Sequence, residues 1–258
     1  MKLCRFLHPR SAEPRYGIMA GDTVCPVTPD EYLNPGAAPR SQAAVGLSEI
    51  RLLSPVTPSK IVCVGRNYRE HAVELGNKMP EEPLLFLKAP SALIGPEDAI
   101  ELPPQSVQVE HEGELGVVIG RTAHRLQAGE DPLAFVLGYT CVNDVTARDL
   151  QRKDVQFTRG KSFDTFCPVG PVIVTDLNPL DTTVITRLNG EIRQQGRTSD
   201  MAFTVPFLIK YIADIMTLNP GDLIATGTPA GVSRMKPGDV VEVEVAGVGV
   251  LRNQIQGS

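Results

Sequence analysis

The sequence predicts an α+β chain that is mainly β, and three observations carry that prediction. Its apolar runs are short and rich in β-branched residues. Glycine and proline are frequent, 23 and 22 of 258 residues, and punctuate the chain between those runs. Only two segments space their apolar or capping residues as a helix does.

In chain order, the first 55 or so residues stand apart. LNPGAAPRSQAAVG (33–46) reads as a loop and SPVTPSK (54–60) as a linker, so a small N-terminal domain is drawn over 1–57 and the main body over 58–258. IVCVG (61–65) opens that body as a strand. A short helix is expected from Asn67, with Asn67 as N-cap, Glu70 three residues on as in a capping box, and Gly76 closing it. LGVVIG (115–120), FVLGYTCV (135–142), PVIV (171–174), TVITRL (183–188) and DVVEVEVAG (239–247) read as strands. Asn189-Gly190 marks a hairpin. Asn219-Pro220-Gly221-Asp222 and Lys236-Pro237-Gly238-Asp239 place Pro and Gly where a type II turn needs them. Val205, Leu208, Ile209, Ile212, Ile215 and Met216 recur at helical spacing, with Pro206 suited to a first turn.

Charge and composition exclude some roles. The net charge is -5, with no clustered Lys/Arg excess, which argues against a nucleic-acid surface. No apolar stretch has the length of a membrane helix, and MKLCRFLHPRSAEPR lacks the apolar core of a secretory signal. The five cysteines are spread out with no CxxC pair, a pattern expected of reduced thiols in a cytoplasmic protein. Cys63 and Cys141 fall in apolar runs, as small buried hydrophobes do.

Chemistry concentrates in two places. EHEGELG (110–116) leads into an apolar strand, and alternation along that strand puts Glu112 and Glu114 on one face. Asp144 ends a second apolar run, YTCVND, from which its carboxylate can complete a three-oxygen site. Such a set favours a hard cation, Mg²⁺, Mn²⁺ or Ca²⁺, over Zn²⁺. Spacing alone equally fits a solvated strand end, and it does not choose between Glu110/Glu112 and Glu112/Glu114. The second place is GRNYREHAVELG (65–76), where His71 and Glu74 lie three apart on the short helix. A carboxylate beside an imidazole orients it and makes it a candidate general base; an ordinary surface pair would show the same spacing. His8, His111 and His124 have no comparable partner. RDLQRKDVQFTRGKSFD reads as a solvated loop or as a lid that delivers Lys161. TGTP (226–229) reads as a turn, and Arg148 and Asp149 are expected in structural contacts.

GRNYREH, EHEGELGVVIG, NDVTARDLQ, TRGKSFDTFCPVGP, LNGEIRQQGRTSDM and LIATGTPAGV, in this order, resemble the fumarylacetoacetate hydrolase family, in particular its short two-domain members. These include acylpyruvate hydrolases, oxaloacetate decarboxylases or tautomerases, and 2-hydroxyhepta-2,4-diene-1,7-dioate isomerases. The resemblance implies a mixed β-sandwich roll with a small N-terminal domain, usually as a homodimer. It implies Mg²⁺ or Mn²⁺ on Glu112, Glu114 and Asp144, a catalytic dyad of His71 and Glu74, and a catalytic Lys161. It places Arg66, Tyr68, Gln151 and Thr228 around the substrate.

The activity it implies is hydrolysis of acylpyruvates or decarboxylation of oxaloacetate, through an enolate whose charge the metal and Lys161 would hold. Tautomerisation or dienoate isomerisation on the same site is the alternative. A non-catalytic binder of 2-oxo acids and a structural Ca²⁺ site are the competing readings from other classes.

Overall fold

The structure, a computed structural model, describes residues 1–11, 13–36 and 43–257; part of the loop expected over 33–46 lies outside them. The N-terminal segment contributes strands β1 (Lys2–Leu7), β2 (Arg15–Ala20), β3 (Thr23–Val27), β4 (Val45–Gly46) and β5 (Arg51–Leu53), with helix α1 (Pro29–Leu33) between β3 and β4. The body begins with β6 (Ile61–Gly65), α2 (Arg69–Glu74), β7 (Leu84–Lys88), β8 (Leu93–Ile94), β9 (Ile100–Leu102), β10 (Val109–Glu110) and β11 (Gly113–Ile119). It continues through β12 (Val136–Asn143), β13 (Thr146–Ala147), α3 (Arg148–Lys153), α4 (Thr158–Lys161), β14 (Cys167–Val174), β15 (Thr183–Leu188) and β16 (Glu191–Arg197). It ends with α5 (Val205–Ile215), β17 (Leu223–Ala225), β18 (Val240–Val245) and β19 (Gly249–Gly257).

A 12-stranded mixed sheet runs in the order β4-β3-β2-β1-β14-β12-β11-β17-β6-β7, with β5 on β1 and β8 on β14. A second, five-stranded sheet in the order β16-β15-β18-β19-β9 packs over its centre. This is the mainly β roll the sequence predicts. The N-terminal strands, which the sequence reading does not identify, join the large sheet through antiparallel pairing of β1 with β14. The 54–60 connection lacks regular structure but is packed, with Ser54, Pro55, Val56 and Pro58 buried.

The strand pattern explains where the cores lie. Along β11, Leu115, Val117 and Ile119 face a core shared with Val184, Val243, Val245 and the apolar side of α5. Val118, on the opposite face, joins a second core with Ile61, Cys63, Val142 and Ile173. Helix α5 starts with Pro in its first turn and buries Val205, Leu208, Ile209 and Ile212, as its spacing predicts, whereas Ile215 in its last turn is exposed and Met216 lies just past its end. The Asn189-Gly190 turn has both residues at positive φ, 54° and 80°, which matches a tight hairpin between β15 and β16.

Helix α2 corrects one expectation. Its N-cap is Tyr68, without a side-chain cap bond. Asn67 is instead spent on tertiary structure: its amide donates to the carbonyls of Phe203 and Thr226 and accepts from the Phe203 N–H. An amide can satisfy several backbone groups at once, so it closes a buried three-way junction that a solvent-facing cap would leave open. Gly76 does end the helix, at φ 69°.

Candidate active site

Sheet register assembles the acidic cluster. In the β11–β12 ladder Gly113 faces Asn143 and Glu114 faces Val142, and the Asp144 N–H donates to the Glu112 carbonyl at 2.8 Å. Glu112 and Asp144 are therefore direct neighbours across the strand ends, and Glu114 lies on the same pleat face as Glu112. Each offers a carboxylate oxygen, and these oxygens lie within 4.8 Å of one another, all on buried residues. Glu110 is not in the group: its carboxylate is taken by Arg148 Nε at 2.8 Å and Gln108 Nε2 at 2.5 Å.

Three cations meet the carboxylates. Lys161 Nζ donates to Glu112 Oε2 at 2.7 Å and to Asp144 Oδ2 at 2.6 Å. Lys88 Nζ donates to Asp144 Oδ1 at 2.7 Å and to the Val145 carbonyl at 3.0 Å. Arg148 bridges Glu110 and Glu112. Burial alone would raise the Glu112 pKa, but Lys161 and Arg148 override it and hold the carboxylate well below its usual range. Among the described residues Glu114 has only the Gly227 N–H, at 2.8 Å. Burial, then the charges of Asp144 and Glu112, push its pKa well above normal. An all-oxygen set in which one buried carboxylate has no cation of its own suits a hard divalent ion, which would face all three oxygens.

The flanking strand supplies the next wall. Strand β17 pairs with β11, and the TGTP turn continues alongside it: Thr226 Oγ1 donates to the Leu115 carbonyl and Thr228 Oγ1 to the Gly113 carbonyl, both at 2.8 Å. At Gly227 φ is 102°, and a Cβ there would stand 2.7 Å from Asn67 Cβ; glycine is what lets this N–H reach Glu114. Gln194 fastens the turn, donating to Thr228 Oγ1 and the Pro229 carbonyl while accepting from the Gly113 N–H. His111, buried beside it, contacts Gln194 Oε1 and Ser233 Oγ through its two ring nitrogens. Burial lowers its pKa.

The dyad closes the opposite side. His71 Nδ1 lies 3.1 Å from Glu74 Oε2, and the other Glu74 oxygen accepts from the Gly231 N–H at 3.0 Å. His71 is only 4% exposed, so this is no ordinary surface pair. His71, Lys161, Arg66, Gln151, Thr228 and the three carboxylates all line one cavity of about 420 Å³.

Two expected placements change. Tyr68 does not line the cavity: it bridges to Met201 and its ring lies in the core, where its hydroxyl has no hydrogen-bond partner among the described residues. Arg148, expected in a purely structural contact, is part of the cavity wall and also holds Gln151 Oε1 at 2.6 Å. Asp149 behaves as expected, accepting from Ser106 and the Val107 N–H. The polar run around Lys161 is two short helices, α3 and α4, with Lys161 buried over the Phe86 ring. Lys88 is the residue sequence reasoning missed, and its signal is a lysine closing the otherwise apolar strand LLFLK.

Residues 60–256 match the family described as fumarylacetoacetate (FAA) hydrolase C-terminal, and residues 1–55 match the one described as Rv2993c-like, N-terminal. The chain belongs to the fumarylacetoacetate hydrolase family. It is 45% identical over 224 residues to oxaloacetate tautomerase YisK of Bacillus subtilis, covering 81% of this chain and 74% of that protein. The solved structure of a 5-carboxymethyl-2-hydroxymuconate delta-isomerase from Mycobacterium smegmatis superimposes with TM-score 0.90 at 40% identity, covering all of both chains. That of a 2-hydroxyhepta-2,4-diene-1,7-dioate isomerase from Mycobacterium marinum does so with TM-score 0.88 at 39% identity, covering 100% of this chain and 99% of that one. Among the described residues no helix is long and apolar enough to cross a membrane.

Proposed function

We propose that this fumarylacetoacetate hydrolase family member is a divalent-metal-dependent enzyme of small 2-oxo acids whose main reaction is proton transfer on the enol, a keto–enol tautomerisation. The observation that carries it is that His71, backed by Glu74, and the three carboxylates line a single cavity. Relatives named as an oxaloacetate tautomerase and as dienoate isomerases support tautomerisation over the hydrolysis and decarboxylation that the motifs put first.

Glu112, Glu114 and Asp144 would hold Mg²⁺ or Mn²⁺, which when bound supplies a fixed positive charge beside the substrate's carboxylate and 2-oxo oxygen. Glu74 accepts from Nδ1–H of His71, which fixes the tautomer and leaves Nε2 with the lone pair. Nε2 has no partner among the described residues and is the atom that takes a proton from carbon or returns it. Lys161 is held protonated, since Asp144 and Glu112 outweigh the burial that opposes its charge, and its ammonium stabilises negative charge on the substrate oxygen. Gln151 and Thr228 orient the substrate from either side. Hydrolysis of an acylpyruvate is the second reading, favoured by the same dyad, which can activate water as readily as carbon acids.

The 1–57 and 58–258 division, a homodimer and a cytoplasmic location complete the proposal. All of the proposed catalytic side chains come from the second segment.

Enol-oxaloacetate loss followed by absorbance, with and without Mg²⁺, tests the reaction. Metal-dependent acceleration that His71→Asn abolishes is expected. Background rates with oxaloacetate alongside cleavage of acetylpyruvate would overturn tautomerisation in favour of hydrolysis.

A further inference from the structure

Strand β16 forms one edge of the five-stranded sheet, and none of its residues lines the cavity. Glu191, Ile192, Arg193, Gln195 and Arg197 are exposed, while Gln194 alone on this strand is buried. The register with β15 slips between the pairs Thr186–Gln194 and Arg187–Ile192, which leaves Arg193 unpaired. A bulge of this kind bends a strand and re-aims the side chain beside it. Here it stands next to the one side chain that the strand sends inward.

The Gln194 amide is fully used. Its oxygen accepts from the Gly113 N–H and meets His111 Nδ1, both at 3.0 Å. Its nitrogen donates to Thr228 Oγ1 and to the Pro229 carbonyl, both at 2.7 Å. A backbone N–H can only donate and a carbonyl can only accept, so the amide fits in one orientation. These partners belong to two parts of the site. Gly113 stands between Glu112 and Glu114 on β11, and Thr228 lines the cavity on the neighbouring turn. The Thr228 hydroxyl, receiving from Gln194, passes its own hydrogen to the Gly113 carbonyl. Gln194, Gly113 and Thr228 thus close a ring that spans the gap between the metal strand and the turn. The backbone around the ring is tight as well: a Cβ on Gly196 would stand 2.6 Å from Pro229 Cβ.

We propose that Gln194 is a positioning residue for the 2-oxo acid, setting how far Thr228 stands from the three carboxylates and so how tightly the substrate is held between them. A fully satisfied buried amide suits this, because it fixes a single geometry where an apolar side chain would tolerate several. The inference rests on the 2-oxo acid reading above and adds to it a residue that touches no substrate.

Gln194→Met, which keeps the length and deletes the amide, tests it by oxalate titration of the Mg²⁺-loaded protein and by steady-state kinetics with enol-oxaloacetate. The oxalate Kd and the KM should both rise about tenfold, with kcat and Mg²⁺ affinity held within about threefold. A role in folding alone gives the opposite split, because fewer active molecules lower kcat and leave KM and Kd unchanged. In a Thr228→Val background the same substitution should change the oxalate Kd by about threefold or less, since its effect runs through Thr228. Should Gln194→Met not fold, Gly196→Ala carries the test: it presses on Pro229 with the amide intact, and KM and oxalate Kd should again rise, by about threefold or more. Unchanged Kd and KM, or a full tenfold cost in the Thr228→Val background, overturn the positioning role and leave the 2-oxo acid reading standing. If oxalate does not bind the Mg²⁺-loaded wild type, that reading itself fails and this inference falls with it.

Discussion

Replacing Lys88 by Met tests the charge arrangement at its least accessible point. Its side chain is fully buried, and its ammonium reaches Asp144 at 2.7 Å and the Val145 carbonyl at 3.0 Å. Methionine keeps the stem and deletes the charge. Removing one partner of a buried ion pair typically costs about 3–5 kcal/mol. Asp144 keeps Lys161 at 2.6 Å, so the lower end, about 3 kcal/mol, applies to the metal-free protein. Of this, about 1 kcal/mol belongs to the Val145 carbonyl left without its donor. A cation bound to Asp144 would cover the exposed charge and leave mainly the carbonyl deficit. The variant should therefore lose about 6–12 °C in Tm without metal and much less with saturating Mg²⁺. By linkage its Mg²⁺ affinity should rise by about 2 kcal/mol, roughly 30-fold. Calorimetric Mg²⁺ titration with thermal melts of both forms measures this. An unchanged metal-free Tm, or weaker Mg²⁺ binding in the variant, would refute the reasoning.

Three further outcomes follow from the same geometry. His71→Asn should lower turnover by about 10²- to 10⁴-fold while leaving Mg²⁺ affinity within error, read by steady-state kinetics and calorimetry. Gly231→Ala places a Cβ 1.8 Å from the Arg193 carbonyl oxygen at φ 105°, which must shift the N–H that holds Glu74; turnover should drop about 10- to 100-fold with metal binding retained. Mg²⁺ binding should release protons, because burial and the charges of Asp144 and Glu112 raise the Glu114 pKa in the metal-free protein. The sign is fixed: the raised folded pKa gives stability below the ordinary carboxylate range that is lost as pH rises through the folded value, and metal binding tightens over that same rise. Titrations in buffers of different ionisation enthalpy count the protons, and a count of zero would remove Glu114 from the ligand set.

Local signals were legible in the sequence and long-range pairings were not. Asn189-Gly190 and the two Pro-Gly turns predict their own geometry, because φ preferences are properties of the residues themselves. The α5 stripe and the Glu112/Glu114 alternation are likewise periodic. The N-terminal strands were not read, because β2 (RYGIMA) and β3 (TVCPV) are short and interrupted by Gly17 and Pro26; they add to β1, which pairs with β14 far along the chain. Lys88 meets Asp144 across 56 residues, and Arg148 meets Glu110 across 38. No local pattern encodes such a contact; only β11–β12 register and the packing of β7 create it. Asn67 shows the converse, a residue with a good local use as a cap that tertiary hydrogen bonds claim instead. The choice between Glu110/Glu112 and Glu112/Glu114, open on spacing, turns on geometry: the carboxylate oxygens of Glu112, Glu114 and Asp144 gather within 4.8 Å of one another, while Glu110 turns to Arg148 and Gln108.

Oxalate, a planar mimic of a 2-oxo acid enolate, tests the central claim most directly: calorimetric titration into wild type and Glu114→Gln, each with and without Mg²⁺. The account predicts one oxalate per chain, bound by the wild type only when Mg²⁺ is present and by Glu114→Gln in neither condition. Oxalate binding that is equally tight without Mg²⁺, or that survives in Glu114→Gln undiminished, would contradict it.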